Sequence, residues 1–188
     1  MGHLERPSLL YIHSDQHCPT VAGCYGDPLV RTPNLDQLAA SGVLFEHTTT
    51  DTPLTLPAHT TLFTGTYPMY HGVRDNFGSY LEPEHITLAE ILRGQGYTTG
   101  AFVGAFTLDS RWGLDLGFDG YFDDFDLSEF EKVDQESVQR RGDEVLAEAL
   151  PWLDSVREKR FFSWIHLYDP HTPYDPPEPY LSQYAAGQ

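Results

Sequence analysis

Short apolar runs alternate along the chain with stretches of helical period. Leu9-Leu10-Tyr11-Ile12-His13 is a continuous apolar run that stops at Ser14-Asp15, the pattern of a buried strand. Val43-Leu44-Phe45 predicts a second strand, Thr98 to Phe106 a third made of small residues, and Phe161 to Tyr168 a fourth that ends at Asp169-Pro170-His171. Between them lie the helical segments. Thr32-Pro33 opens one, with Thr32 as cap, Leu35, Leu38 and Ala39 on its apolar face, and Gly42 as its stop. Pro57, tolerated only in a first helical turn, places another helix start at or next to Thr55. Thr87-Leu88-Ala89-Glu90 reads as a capping box, with Ile86 and Ile91 spaced as a hydrophobic staple. The helix behind it is expected to cover Leu88, Ile91 and Leu92. Ser137 to Arg157 carries a helical stripe of Val138, Val145, Ala149, Leu153 and Val156, which Pro151 is expected to kink or split. Leu108 to Asp126 is irregular, aromatic and acidic, and reads as a packed loop.

Strands alternating with helices predict an α/β fold, a mostly parallel sheet with helices on both faces, with 1–188 expected to be the N-terminal portion of a single domain that is incomplete at its C-terminus. In open sheets of this class ligands bind outside the carboxyl ends of the strands. Asp15, Thr55 and His171 each lie just past a predicted strand, so a parallel sheet brings all three to one edge. Thr55 suits a nucleophile at a helix start, where free N–H groups favour negative charge, and equally suits a plain N-cap threonine. Asp15 reads either as a ligand or as a turn cap. Asn76, in Asp75-Asn76-Phe77-Gly78, reads either as a donor to a substrate or as a turn residue.

The bulk numbers exclude some partners. With 28 acidic residues against 11 basic ones, the formal charge of −17 repels nucleic acid polymers and anionic membrane surfaces. No apolar run approaches the length of a membrane span, and the first residues lack an apolar signal region. A cytoplasmic location is then the default, or a periplasmic one if a leader was removed. Cys18 and Cys24 match no zinc spacing and read either as a pair or as free thiols.

Taken together, Asp15, Gly23-Cys24-Tyr25-Gly26, Thr32-Pro33-Asn34-Leu35-Asp36-Gln37-Leu38-Ala39, Thr64-Gly65-x-Tyr67-Pro68-x-x-His71-Gly72-Val73, Gly96-Tyr97-x-Thr99 and Asp169-Pro170-His171-x-Pro173 resemble the N-terminal half of sulfatases, in the alkaline phosphatase superfamily. The chain departs from that family where its Cys-x-Pro-x-Arg signature would stand. Thr55 and His59 occupy the cysteine and arginine positions, and a threonine cannot become formylglycine. The family's lysine and histidine in Gly-Lys-Trp-His-Leu-Gly are missing from Gly104 to Leu108, and Gln16 stands where many sulfatases have a second metal-binding aspartate. Thr55-x-Pro57-Ala58-His59, His71-Gly72 and Asp75-Asn76 are more similar to nucleotide pyrophosphatase/phosphodiesterases and phosphonoacetate hydrolases.

That resemblance implies a threonine nucleophile that is also a metal ligand (Thr55), a second ligand in Asp15, an asparagine that donates to a phosphate oxygen (Asn76) and a substrate-contacting histidine (His171). It implies a divalent metal, zinc first and calcium, magnesium or manganese as alternatives. The substrate expected is a small-molecule phosphate or sulfate ester. Three functions follow: a metal-dependent hydrolase of phosphate diesters or phosphonates, a sulfuric ester hydrolase, or a catalytically inactive domain of this fold kept for binding. The remaining metal ligands are expected in an Asp-His-Gly-type segment beyond Gln188, in a C-terminal half that would act as partner to this one. Of the other histidines, His59 is expected to pack or orient its loop, His71 to be structural and His13 to be a satisfied core residue. His166 carries no signal.

Overall fold

A computed structural model describes residues 6–128 and 138–185. Four strands form one parallel sheet in the order β1-β4-β2-β3: β1 Leu9–Ser14, β2 Thr98–Val103, β3 Gly120–Phe122 and β4 Phe161–Leu167. The helices are α1 Pro33–Ser41, α2 Thr55–Thr64, α3 Pro68–His71, α4 Leu88–Gly94, α5 Gly142–Val156 and α6 Tyr180–Ala185. The strand alternation sorts the core onto two faces. Ala101, Val103, Phe162 and Trp164 turn towards Leu56 and Phe63 of α2 and Ala89 of α4. Phe102 and Ile165 turn the other way, onto Val145 and Ala149 of α5. Helices thus cover both faces of the inner strands β2 and β4, but β1 is not the buried strand its apolar run predicts: it lies at the sheet edge, with Leu9, Leu10 and Ile12 exposed.

Several local expectations hold in detail. The capping box is present, with the Glu90 N–H donating to Thr87 Oγ1 at 3.1 Å and the Thr87 N–H donating to Glu90 Oε2 at 2.9 Å. Pro57 sits in the first turn of α2, where its missing N–H leaves no intrahelical bond unmade. Both cysteines are free thiols. Among the described residues no helix is long and apolar enough to cross a membrane.

Other expectations are corrected. Val43-Leu44-Phe45 is not a strand; among the described residues no neighbouring strand offers it a ladder, and all three side chains are exposed. Thr32 stands at the N-cap of α1 but does not cap it through its hydroxyl, which instead donates to Asp36 Oδ1 (3.0 Å) and accepts from the Gly23 N–H (2.8 Å). The faces of α1 and α4 are less covered than their spacing suggests. Leu35, Leu38, Leu88, Ile91 and the staple residue Ile86 are exposed, and α4 packs through Ala89 and Leu92. Pro151 does not split α5, which runs through it. The carbonyl it leaves without an intrahelical donor belongs to Ala147, which is exposed together with Pro151. The segment before Val138 falls outside the described residues. Strand β3 was hidden in the aromatic loop because it is only three residues long.

Gly117 closes that loop against the start of α4. Its φ of +93° lies in the left-handed region, and a Cβ there would stand 2.2 Å from the Glu90 nitrogen. Backbone cannot yield as a side chain tip can. The Gly117→Ala protein is expected to lose about 3 kcal/mol, from the left-handed conformation and the overpacking together. Urea denaturation measures this; a loss below about 1 kcal/mol would show that the turn relaxes freely.

Candidate active site

The carboxyl ends of β1 and β4 and the start of α2 meet in one place. His13 and His166 are register partners across β1 and β4, and the Asp15 N–H continues the ladder by donating to Leu167 O at 2.9 Å. Period two then sends His13 and Asp15 to one face of β1 and Trp164, His166 and Tyr168 to one face of β4. The start of α2 packs over that face and brings Thr55 and His59. The cavity between them is about 470 Å³ and is lined by Asp15, Gln16, Thr55, Asn76 and His171, together with His13, His59 and Tyr168. A larger cavity of about 610 Å³ lies against α1, lined mostly by apolar side chains with His17 and Cys24. It gathers no carboxylate, and the chemistry lies in the smaller one. All four residues singled out from the sequence line that smaller cavity, although they come from four separate segments.

Thr55 is the first residue of α2 rather than its cap. The cap position is Leu54, and no side chain caps it. The Thr55 hydroxyl makes no hydrogen bond among the described residues and is half-buried at the cavity wall. The helix start offers fewer free donors than its position suggests. Pro57 has no N–H, the Ala58 N–H donates to Leu54 O at 3.0 Å, and the Leu56 N–H donates to Asn76 Oδ1 at 3.0 Å. That last bond orients the buried Asn76 amide. Its oxygen is committed to the helix, so its NH₂ group is the end left for the cavity.

Three histidines lie under these groups, one of them, His166, without any signal in the sequence. The His59 Nδ1–H donates to the Thr55 carbonyl at 2.7 Å, because a carbonyl can only accept. His59 Nε2 meets His13 Nδ1 at 3.0 Å. The Nε2–H of the buried His166 donates to Asp15 Oδ2 at 3.1 Å, while its Nδ1 is buried with no partner among the described residues. His13 is therefore no satisfied core histidine but a wall of the site. His59 orients the loop as expected, through the Thr55 carbonyl. The only advance sign of the rest was parity: His13 lies two residues before Asp15, and His166 two before Tyr168. His71 is structural, as expected: it is buried, with Nδ1 accepting from the Val73 N–H at 3.2 Å. The imidazole of His171 stacks on Tyr168 at 4.2 Å, and its Nδ1–H donates to the neighbouring Thr172 carbonyl at 2.7 Å.

The electrostatics follow from this burial. Burial alone would push the Asp15 carboxyl up, but the hydrogen bond from His166 and the electrostatic influence of the His166, His59 and His13 rings outweigh it and hold Asp15 below the usual range. Burial, reinforced by His166 and opposed by Asp15, pulls His13 down to about 4. Burial and the two neighbouring imidazoles likewise hold His59 well below its ordinary value. At neutral pH the site thus holds an ionised carboxylate beside two neutral imidazoles. Gln16, next to Asp15, has a φ of 54°, a left-handed backbone seldom adopted by a residue with a side chain.

As a cation site the described residues are partial. Asp15 fits as one anionic donor, with the Thr55 hydroxyl and the Gln16 amide on the same cavity wall. Among the described residues no group of three or more His, Cys, Asp or Glu is placed to share an ion.

Comparison with known proteins bears on the family and the fold. The sequence model of the sulfatase family matches residues 7–188. The ulvan-active sulfatase of Formosa agariphila is 39% identical over 106 residues, which is 56% of this chain and 20% of that protein. Human arylsulfatase A is 36% identical over 121 residues, 62% of this chain and 22% of that protein. The chain spans about a fifth of the length of these curated relatives. Among solved structures, the phosphonate monoester hydrolase of Agrobacterium radiobacter superposes with a TM-score of 0.75 at 27% identity, covering 95% of this chain and 44% of that one. A structure solved with its substrate D-glucosamine-2-N,6-O-disulfate superposes at 0.80 with 23% identity, covering 97% of this chain and 38% of that one, a likeness of fold.

Proposed function

This chain belongs to the sulfatase family of the alkaline phosphatase superfamily, and from that premise we propose that residues 1–188 are the N-terminal portion of one catalytic domain that hydrolyses phosphate diesters or phosphonates through Thr55. The observation that carries the reading is the convergence of Asp15, Thr55, Asn76 and His171 on one cavity. Thr55 presents an uncommitted hydroxyl there, and no base is bonded to it among the described residues. A divalent cation at Asp15, zinc first among the candidates, would supply the charge that lowers the hydroxyl pKa and neutralises the ester oxygen. The chain's own residues do the rest. His166 fixes the Asp15 carboxylate, His59 fixes the Thr55 carbonyl and so the first turn of α2, and Asn76 offers its NH₂ group to a non-bridging oxygen. Attack by Thr55 Oγ1 on phosphorus breaks the P–O bond to the ester alcohol, which leaves carrying the threonine proton, and water then releases the alkyl phosphate or phosphonate held on Thr55. His171, stacked on Tyr168 at the rim, contacts the substrate.

Sulfate ester hydrolysis is the second reading, favoured by the names of the relatives. Against it stand Thr55, which cannot supply formylglycine, and the likeness to a phosphonate monoester hydrolase. Turnover of aryl phosphate monoester, phosphate diester, phosphonate monoester and sulfate by the full-length protein, with each divalent cation in turn, separates the two. The diester or phosphonate is expected to give the highest kcat/KM. Sulfate as the best substrate would select the second reading, and no turnover with any cation would leave a binding domain of this fold.

A further inference from the structure

The chain of tautomers beneath Thr55 ends in an imidazole nitrogen that has no hydrogen-bond partner among the described residues. The Thr55 carbonyl fixes the His59 proton on Nδ1. A neutral His59 then has a bare Nε2, and the bond of 3.0 Å to His13 needs its single proton from His13 Nδ1. The Tyr11 hydroxyl, 3.3 Å from the same Nδ1, engages the ring at the same end. Nε2 of His13 carries the lone pair, and it makes no hydrogen bond among the described residues. It is not among the atoms buried without a partner, and His13 lines the cavity that holds Asp15. A histidine serving only to pack would hide or pair both nitrogens. One that donates its inner N–H to an oriented acceptor and turns the other nitrogen outward has the arrangement of a metal-ligating imidazole.

We propose that His13 Nε2 is a nitrogen ligand of the divalent cation held at Asp15, and that it biases this site towards zinc-like ions over calcium and magnesium. The proposal rests on Asp15 as the cation-binding carboxylate of the function proposed above. Asp15 and His13 leave β1 on the same face, two residues apart, which lets both approach one ion. His166 orients the carboxylate and His59 orients the imidazole, so each of the two ligands has its own fixed support. Imidazole suits zinc and its neighbours, whereas calcium and magnesium prefer oxygen throughout. The other coordination positions belong to the Thr55 hydroxyl, to water or to groups outside the described residues.

Calorimetric titration of the metal-stripped full-length protein with Zn²⁺ and with Ca²⁺ tests this without reference to turnover. His13→Asn keeps an amide near the Nδ1 position, able to bond His59, and removes the Nε2 donor. The expected result is a zinc Kd raised about tenfold or more with the calcium Kd almost unchanged. Equal losses for both ions, or no loss for zinc, would overturn the assignment of His13. Asp15→Asn serves as the reference. If it leaves both affinities intact, the cation does not sit at Asp15 and the reading of the site falls with the proposal. If it abolishes binding while His13→Asn does nothing, only the proposal falls. Should His13→Asn not fold, cadmium–nitrogen scalar coupling to the His13 ring of the unmutated protein decides, and its absence in the cadmium-loaded protein overturns the proposal.

Discussion

Thr55→Ala is expected to abolish ester hydrolysis, with kcat/KM falling on the order of 10⁴-fold to 10⁶-fold, the cost of removing a nucleophile from an otherwise intact site. The same substitution should leave the fold almost untouched. The hydroxyl caps nothing, since Leu54 holds the cap position and the Thr55 side chain makes no hydrogen bond among the described residues. Alanine is also a good residue for the first turn of a helix. Unfolding free energy should therefore change by less than about 0.5 kcal/mol. A capping threonine would behave the opposite way, costing about 1 kcal/mol of stability on replacement with little effect on rate. Measuring both quantities on one variant decides between the two roles. Activity that survives Thr55→Ala would sink the nucleophile assignment, whatever the stability shows. Thr55→Ser, which keeps the hydroxyl, should retain most of the activity and guards against an indirect effect of the alanine.

The second large effect is a loss of stability in mild acid. His13 titrates near 4 in the folded chain against about 6.5 in an unfolded one. The unfolded chain therefore takes up its proton first as pH falls, and stability drains away between about pH 6.5 and pH 4. A gap of that size amounts to about 3 kcal/mol once complete, at about 1.4 kcal/mol per unit. His59, held down by burial and its two imidazole neighbours, adds in the same direction and the same sense. Asp15 acts later. Its depressed pKa contributes stability above the unfolded carboxyl value near 3.8, and that share is lost only as pH falls through the lower folded value. Since domains are stable by about 5–15 kcal/mol in all, the histidine share alone is a large fraction. Denaturant titrations from pH 7.5 to 4.5 in the presence of a chelator measure it. In His13→Asn the fall should be visibly shallower. A wild-type profile that stays flat across this window would show that the cluster is solvated or relaxes when it is charged.

Much of the site was legible because its signals are local. Asp15 marks the end of an apolar run, and Pro57 dates the start of α2 to within two residues, so the sheet edge and Thr55 could be placed before any tertiary contact was known. Asn76 was half legible. Its neighbourhood named it, but that its oxygen would be spent on the Leu56 N–H follows only from how its turn docks against α2. Of the histidine cluster only the role of His59 towards its loop was legible; that the rings meet was not. His13 and His59 are 46 residues apart, and Asp15 and His166 are 151 apart. Their meeting is set by the register of β1 on β4 and the seating of α2, which no local pattern encodes. The failed strand at Val43 to Phe45 shows the reverse error. An apolar triplet has β propensity, but propensity makes a strand only where a neighbour supplies the ladder.

The pairing of β1 with β4 also sets the order in which the site comes into being. Strand β1 and Asp15 leave the ribosome well before Leu167, which accepts the Asp15 N–H. Until β4 arrives β1 lacks the one strand it pairs with among the described residues, and Asp15 has neither its backbone anchor nor the imidazole that orients it. Parallel pairing across so long a loop is entropically slow. The waiting strand, with Leu9, Leu10 and Ile12 on its surface, is the part of the nascent chain that a chaperone would need to shield.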